Sequence, residues 1–343
     1  MLTIYSDDHR HQNATAELID GKMQPPFEMP RRAEMVLEQV KAAQLGSVLA
    51  PQDFGLEPIL RVHDAGYVAF LQRAWEAWRE THGDYDALPL NWAVRTMRSD
   101  RIPETIDGQL SYYSFDAATP ITAGTWKAIT AAANVALTGQ QRIAQGEPAA
   151  FALCRPPGHH AARGFFGGYC FFNNAAIAAQ AFRDQGCDRV AILDVDYHHG
   201  NGTQAIFYDR PDVLFVSLHA HPIQEYPFFL GYEDETGAGA GEGFNRNYPL
   251  RWETDWTAYS AALNDAIQQI QAFRPDAVVV SLGVDTFDGD PISRFRLRGD
   301  DYLRMGAAIA QISAPTLFVM EGGYAVEEIG VNVVSVLRGF ENP

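Results

Sequence analysis

A chain of 343 residues with 47% hydrophobic and 20% charged content can build a large core, and no stretch of it has a disordered composition. Its formal net charge is −17 and no Lys/Arg run is present, which excludes a basic nucleic-acid-binding face; an acidic surface suits a cationic ligand, although many soluble proteins are simply acidic. Three cysteines, Cys154, Cys170 and Cys187, supply neither a disulfide framework nor metal-ligand spacing, and no apolar run reaches signal-peptide or membrane-span length, so a cytoplasmic protein without membrane attachment is expected.

In chain order, residues 80–118 are the first segment to stand apart. They show no sustained helix or strand period and are rich in Pro, Asp, Tyr and Arg. A connection this long inside a compact domain predicts a functional loop, a lid or an interface element, against the plainer reading of a surface excursion. AAFALC (149–154) is a candidate strand. VAILDVD (190–196), VLFVSLH (213–219), AVVVSLGVD (277–285) and TLFVMEGGY (316–324) are short continuous apolar runs, which suit strands buried on both faces. Helical patterns lie between them at Asn174–Asp184, Tyr259–Phe273 and Asp301–Ile312. This alternation predicts a doubly wound α/β sheet. With no repeat and no Gly/Ser-rich or charged linker, residues 1–343 read as a single domain.

Polar chemistry sits at four strand ends. In CRPPGHHA (154–161), two prolines and a glycine stiffen a turn that presents His159 and His160, and an imidazole can take and return a proton near neutral pH. In LDVDYHHGNGTQ (193–204), Asp196 and His198 are two apart and on an extended segment point the same way, within reach of one ion. SLGVDTF (281–287) ends in Asp285, which is a third oxygen ligand or, taken alone, as readily a turn-capping Asp. Two Asp and one His leave an open position; they fit Zn²⁺ and are compatible with Fe²⁺, Co²⁺ or Mn²⁺. In MEGGYAVEEIG (320–330), Tyr324 follows Glu321 and two glycines, and its phenol could hydrogen-bond a developing oxyanion or simply pack at the turn.

DVDYHHGNGT, RPPGHHA, FGGYCFFNNAA, SLGVD and EGGY together resemble the signature segments of the histone deacetylase superfamily, collinearly and over nearly the whole chain. PPFE (25–28), RVHDAGY, the RIPETIDGQLSYYSFDAATPITAGTW stretch, YPFFLGY (226–232) and GVDTFDGDPIS are similar to its acetylpolyamine amidohydrolase branch. The resemblance implies an arginase–deacetylase fold: one α/β domain with a central parallel sheet of about eight strands flanked by helices. It implies that Asp196, His198 and Asp285 bind one Zn²⁺, which polarises an acetamide carbonyl and activates water. His159 would be the general base, His160 the general acid or its electrostatic partner, and Tyr324 the hydrogen-bond donor to the carbonyl oxygen. Asp194 would orient His159 and, with Ser217 and the backbones of Asp196, His198 and Leu218, hold a structural K⁺. Gly168, Tyr169 and Ile292 would wall a substrate tunnel.

The segment at 80–118 corresponds to that branch's enlarged loop, which implies a homodimer and a narrowed tunnel. Asp107, and more weakly Glu104, are candidates for meeting the ammonium group of a small cationic acetylated amine. One position departs from the HHGDG version of the motif: Asn201 stands where some branches have Asp, so the partner implied for His160 carries no charge. Phe287 occupies the place where a two-metal, arginase-like site needs a second carboxylate. The same chemistry on acetyl-lysine in proteins is the alternative, and a long loop disfavours bulky substrates.

Overall fold

A computed structural model describes residues 1–343. Its strands are β1 (Leu2–Ile4), β2 (Glu17–Ile19), β3 (Lys22–Gln24), β4 (Val48–Leu49), β5 (Ala149–Ala152), β6 (Val190–Asp194), β7 (Val213–Ala220), β8 (Asn245–Leu250), β9 (Ala277–Leu282) and β10 (Thr316–Met320). Its helices are α1 (Arg31–Ala42), α2 (Glu57–Leu60), α3 (Ala65–His82), α4 (Ile106–Tyr112), α5 (Thr125–Ala144), α6 (Asn174–Asp184), α7 (Asn201–Phe207), α8 (Trp256–Phe273), α9 (Gly299–Ala310) and α10 (Ile329–Glu341). Eight strands form one parallel sheet in the order β4-β1-β5-β10-β9-β6-β7-β8, and β2 and β3 form a separate hairpin.

The inner strands are buried along their whole length, as continuous runs of Val, Ile, Leu and Ala require. Alternate residues feed opposite cores. Val190 and Ile192 pack with Phe70, Ile129, Leu137 and Ile177 from α3, α5 and α6. Ala191 and Leu193 pack with Val36, Leu263, Met305 and Val333 from α1, α8, α9 and α10. Helices therefore cover both faces, as the alternation predicts. The edge strands β4 and β8 lack an apolar run; β4 has two residues and β8 carries Pro249, which suits an edge.

Helix starts follow their caps. Asn173 accepts the Ala176 N–H at 2.9 Å, so α6 begins where its pattern does. Asp255 accepts the Ala258 N–H, which starts α8 at Trp256, ahead of the expected Tyr259. Asp301 reaches back to the Arg298 N–H at 2.9 Å, so α9 starts at Gly299 rather than at Asp301. The 80–118 segment is not wholly irregular. Its first residues finish α3, and α4 lies inside it, a two-turn helix started by Thr105 whose Ile106 and Leu110 face inward. Two inward residues are too short a period to read from sequence.

Parallel pairing carries every strand's C-terminal end to one edge of the sheet. Asp194 lies in register with Ser217 on one side and Ser281 on the other. Ligands bind at this edge in open α/β sheets. Helix α10 follows the Tyr324 segment and packs backbone-close on α9: a Cβ at Gly306 would overlap the Val336 carbonyl, and one at Gly339 that of Leu303. Gly306→Ala gains about 1 kcal/mol of helix propensity but forces the helices apart. A net loss of roughly 1–3 kcal/mol is expected, read as a lower urea midpoint at unchanged slope. An unchanged or raised midpoint would contradict this packing.

Candidate metal centre and its cavity

Asp196 and His198 converge for a reason other than extended spacing. The ladder ends at Asp194, and the chain then turns. Asp196 Oδ1 accepts the His198 N–H at 2.9 Å, an Asx-type turn. The His198 Nδ1 then lies 3.5 Å from Asp196 Oδ1 and 3.1 Å from Asp285 Oδ2. Asp285 lies three residues past the end of β9, held by the Tyr197 N–H on Oδ1 at 2.9 Å. Asp196 Oδ2 accepts the Gly322 N–H at 2.8 Å. A Cβ at Gly283 would overlap the Asp196 carboxylate and one at Gly322 would overlap both carboxylates, so bare backbone closes the cage from behind.

Donor atoms of Asp196, His198 and Asp285 lie within 4.8 Å of one another, and all three residues are buried. Their ion-pair partners are His159 and His198, never Lys or Arg. Burial and the neighbouring Asp196 charge push Asp285 up to about 6. Burial opposes charge on His198, but the bonds to Asp196 and Asp285 outweigh it and hold its pKa well above the ordinary imidazole value. Two carboxylates and one imidazole with unspent negative charge fit a divalent ion such as Zn²⁺, with positions left open.

The tandem histidines have different partners. His159 Nδ1 lies 3.0 Å from Asp194 Oδ2, which turns Nε2 toward the cage, 3.7 Å from Asp196 Oδ1. Burial opposes its charge, yet Asp196 and Asp194 carry its pKa up to about 10. His160 Nδ1 lies 2.6 Å from Asn201 Oδ1, the contact that the motif implied. Burial, then the neighbouring His159 and His198, push His160 well below the ordinary value. Glu321 Oε2 accepts the N–H groups of Gly158 at 2.6 Å and His159 at 3.1 Å, which ties the end of β10 to the histidine turn. Burial lifts this carboxyl to about 7. The sequence placed Glu321 at a strand end without giving it this task; an acid closing an apolar strand was the signal.

Asp194 and Ser217 are cross-strand neighbours, with Leu218 next in β7. Asp194 Oδ1 accepts the Asp196 N–H at 3.1 Å, and the carbonyls of Asp196 and His198 accept no hydrogen bond from the protein.

A cavity of about 710 Å³ opens beside the cage. His160, His198 and Tyr324 face it, with Gly168, Tyr169 and Ile292 in its walls, and Asp20, Asp116 and Glu225 are the acids along it. The Tyr169 and Tyr324 rings lie 5.6 Å apart. Gly168 and Tyr169 adopt φ of 53° and 66°, and a Cβ at Gly168 would overlap the His160 ring. The Tyr324 N–H is held by Asp290 at 2.6 Å, and the Arg32 guanidinium lies 4.6 Å above its ring.

Two residues here escaped sequence reading. Asp116 Oδ2 accepts the Gly168 N–H at 2.6 Å and the Tyr226 hydroxyl at 2.7 Å, and so sets the tunnel wall. Asp107 corrects an expectation. It does not line the cavity; it is exposed on α4, with its carboxylate 2.9 Å from His82 Nε2. The first turn of α4 faces the end of α3 rather than the cage.

A family profile for the histone deacetylase domain matches residues 26–340. Acetylpolyamine amidohydrolase 2 of Pseudomonas aeruginosa is 64% identical over 341 residues, 99% of each chain. The acetylpolyamine amidohydrolase of Mycoplana ramosa is 52% identical over 339 residues, again 99% of each. The crystal structure of an acetylpolyamine aminohydrolase from Burkholderia pseudomallei superposes with a TM-score of 0.95 at 39% identity, covering 100% of this chain and 99% of that one. The chain belongs to the histone deacetylase family and is an amide-hydrolysing enzyme within it.

Proposed function

We propose that the protein is a Zn²⁺-dependent amidohydrolase. It removes acetyl groups from small N-acetylated polyamines such as acetylputrescine, acetylcadaverine or acetylspermidine, releasing acetate and the free amine. The observation that carries this reading is the buried Asp196–His198–Asp285 cage, whose His198 opens with His160 and Tyr324 onto one cavity that also holds three acids. The names of the two relatives with 64% and 52% identity support the substrate class.

An ion in the cage would polarise the amide carbonyl, make water a nucleophile near neutral pH and offset the Asp196 charge that raises His159. His159, oriented by Asp194, takes the proton from the attacking water and returns it to the leaving nitrogen as the C–N bond breaks. His160, held by Asn201, stays neutral and shapes the site beside it. The Tyr324 phenol donates to the carbonyl oxygen as it gains charge. Gly168, Tyr169 and Ile292 enclose the alkyl chain, while Asp20, Asp116 and Glu225 favour its ammonium end over a neutral group.

A K⁺ at Asp194, Ser217 and the carbonyls of Asp196, His198 and Leu218 would brace the strand ends, and the two unbonded carbonyls support it. Leu90, Val94, Met97 and Ile102 expose apolar side chains within the long segment, which supports a homodimer through that face. Light scattering tests this and would return twice the chain mass. Three free cysteines suit the cytoplasm, and no helix is long and apolar enough to cross a membrane.

Two experiments follow. In a panel of acetylputrescine, acetylcadaverine, acetylspermidine and an acetyl-lysine peptide, kcat/KM is expected to be highest for an acetylated polyamine. A peptide turned over faster would move the assignment to protein deacetylation. In the second, Asn201→Asp puts a negative charge beside His160 and raises its pKa by roughly one unit or more. Because turnover uses neutral His160, the acid limb of the pH profile should move to higher pH. An unmoved profile would count against the His160–Asn201 pairing as a control on protonation.

A further inference from the structure

We propose that Cys170, His159 and Glu321 form a second metal site. It takes a thiophilic divalent ion, Cd²⁺ or excess Zn²⁺, and withdraws the His159 ring nitrogen from the reaction. The inference rests on the role given to His159 above.

Each of the three residues offers a donor atom within 4.8 Å of the others, all are buried, and none belongs to the Asp196–His198–Asp285 cage. A thiolate, an imidazole and a carboxylate are the donor set that borderline and soft divalent ions select. A second observation points to a cation here. Glu321 Oε2 takes two N–H groups, but Oε1 is sealed from solvent without a hydrogen-bond partner. Such an atom is costly to bury unless something meets it. His159 Nδ1 is committed to Asp194, which leaves Nε2 open to an ion.

The Cys170 thiol donates to the Gly168 carbonyl at 3.3 Å, and capture of an ion exchanges that proton for the metal and releases it to water. Burial pushes this thiol well above its ordinary range, so the ion must displace a firmly held proton, which favours metals with strong thiolate affinity. Asp194, Asp196, Asp285, Glu321 and the Cys170 thiolate supply the negative charge to set against two dications in one region. The other thiols lie apart: Cys154 donates to the Ala132 carbonyl, and Cys187 is half-buried.

The test uses holoenzyme in a Cys187→Ser background, carrying one equivalent of its metal. Cd²⁺ is titrated in while thiolate-to-cadmium charge-transfer absorption and acetylputrescine turnover are followed together. One further ion per chain is expected, with the band rising as turnover falls. Cys170→Ser should abolish the band and raise the inhibiting Cd²⁺ concentration on the order of tenfold or more. Glu321→Gln keeps the thiol and should keep the band at weaker affinity, which guards against a Cys170 variant that fails to fold. The proposal is overturned by no band in the parent, by a band or equal inhibition surviving in Cys170→Ser, or by a full band with turnover undiminished. Turnover before cadmium reads the proposed function separately, and the band does not depend on it.

Discussion

Four carboxyl groups, those of Asp194, Asp196, Asp285 and Glu321, are sealed from solvent where the parallel sheet ends, and no Lys or Arg side chain pairs with them. Removing a carboxylate from water costs several kcal/mol even after relaxation. The chain offsets this with its own backbone. N–H groups of Asp196, Tyr197, His198, Gly322, Gly158 and His159 all point at these acids. The loops after β5, β6, β9 and β10 are thereby folded around the carboxylates, and glycines stand at 283 and 322 because a side chain there would displace them. Backbone dipoles leave residual negative charge, and that remainder suits the centre to a cation.

The same charge sorts the histidines. His159 and His198 touch the acids and are drawn toward the protonated form; His160 meets a neutral amide and is driven the other way. One segment, Gly158–His160, therefore presents two imidazoles, rings 4.1 Å apart, whose pKa values are pushed in opposite directions. That separation of roles arises from partners 35 and 41 residues further along the chain, Asp194 and Asn201. It fits amide hydrolysis once a cation offsets the Asp196 charge, since His159 can then take a proton from water while His160 stays neutral beside it.

Much of this was legible in the sequence, and the exceptions have physical causes. Strands β6, β9 and β10 declared themselves because both their faces are buried, and α6 kept its boundaries because Asn173 caps it. The edge strands and α4 did not, since a two-residue strand or a two-turn helix leaves no period. Spacing put Asp196 and His198 side by side, and the structure brings them together through an Asx turn rather than an extended strand end. Asp116 and Tyr226 were invisible because their contact joins two irregular segments 110 residues apart. Asp107 was misplaced for the converse reason: its helix turns it to His82, a neighbour that only the folded chain supplies.

In the proposed function one ion answers the buried acids. Its most direct test is to strip the protein with a chelator and return Zn²⁺ in steps, with bound metal and acetylputrescine hydrolysis measured on the same samples. Activity should be absent from the stripped protein and rise in proportion to metal until one ion per chain is bound. Full turnover without metal, or activity that waits for a second ion, would contradict it.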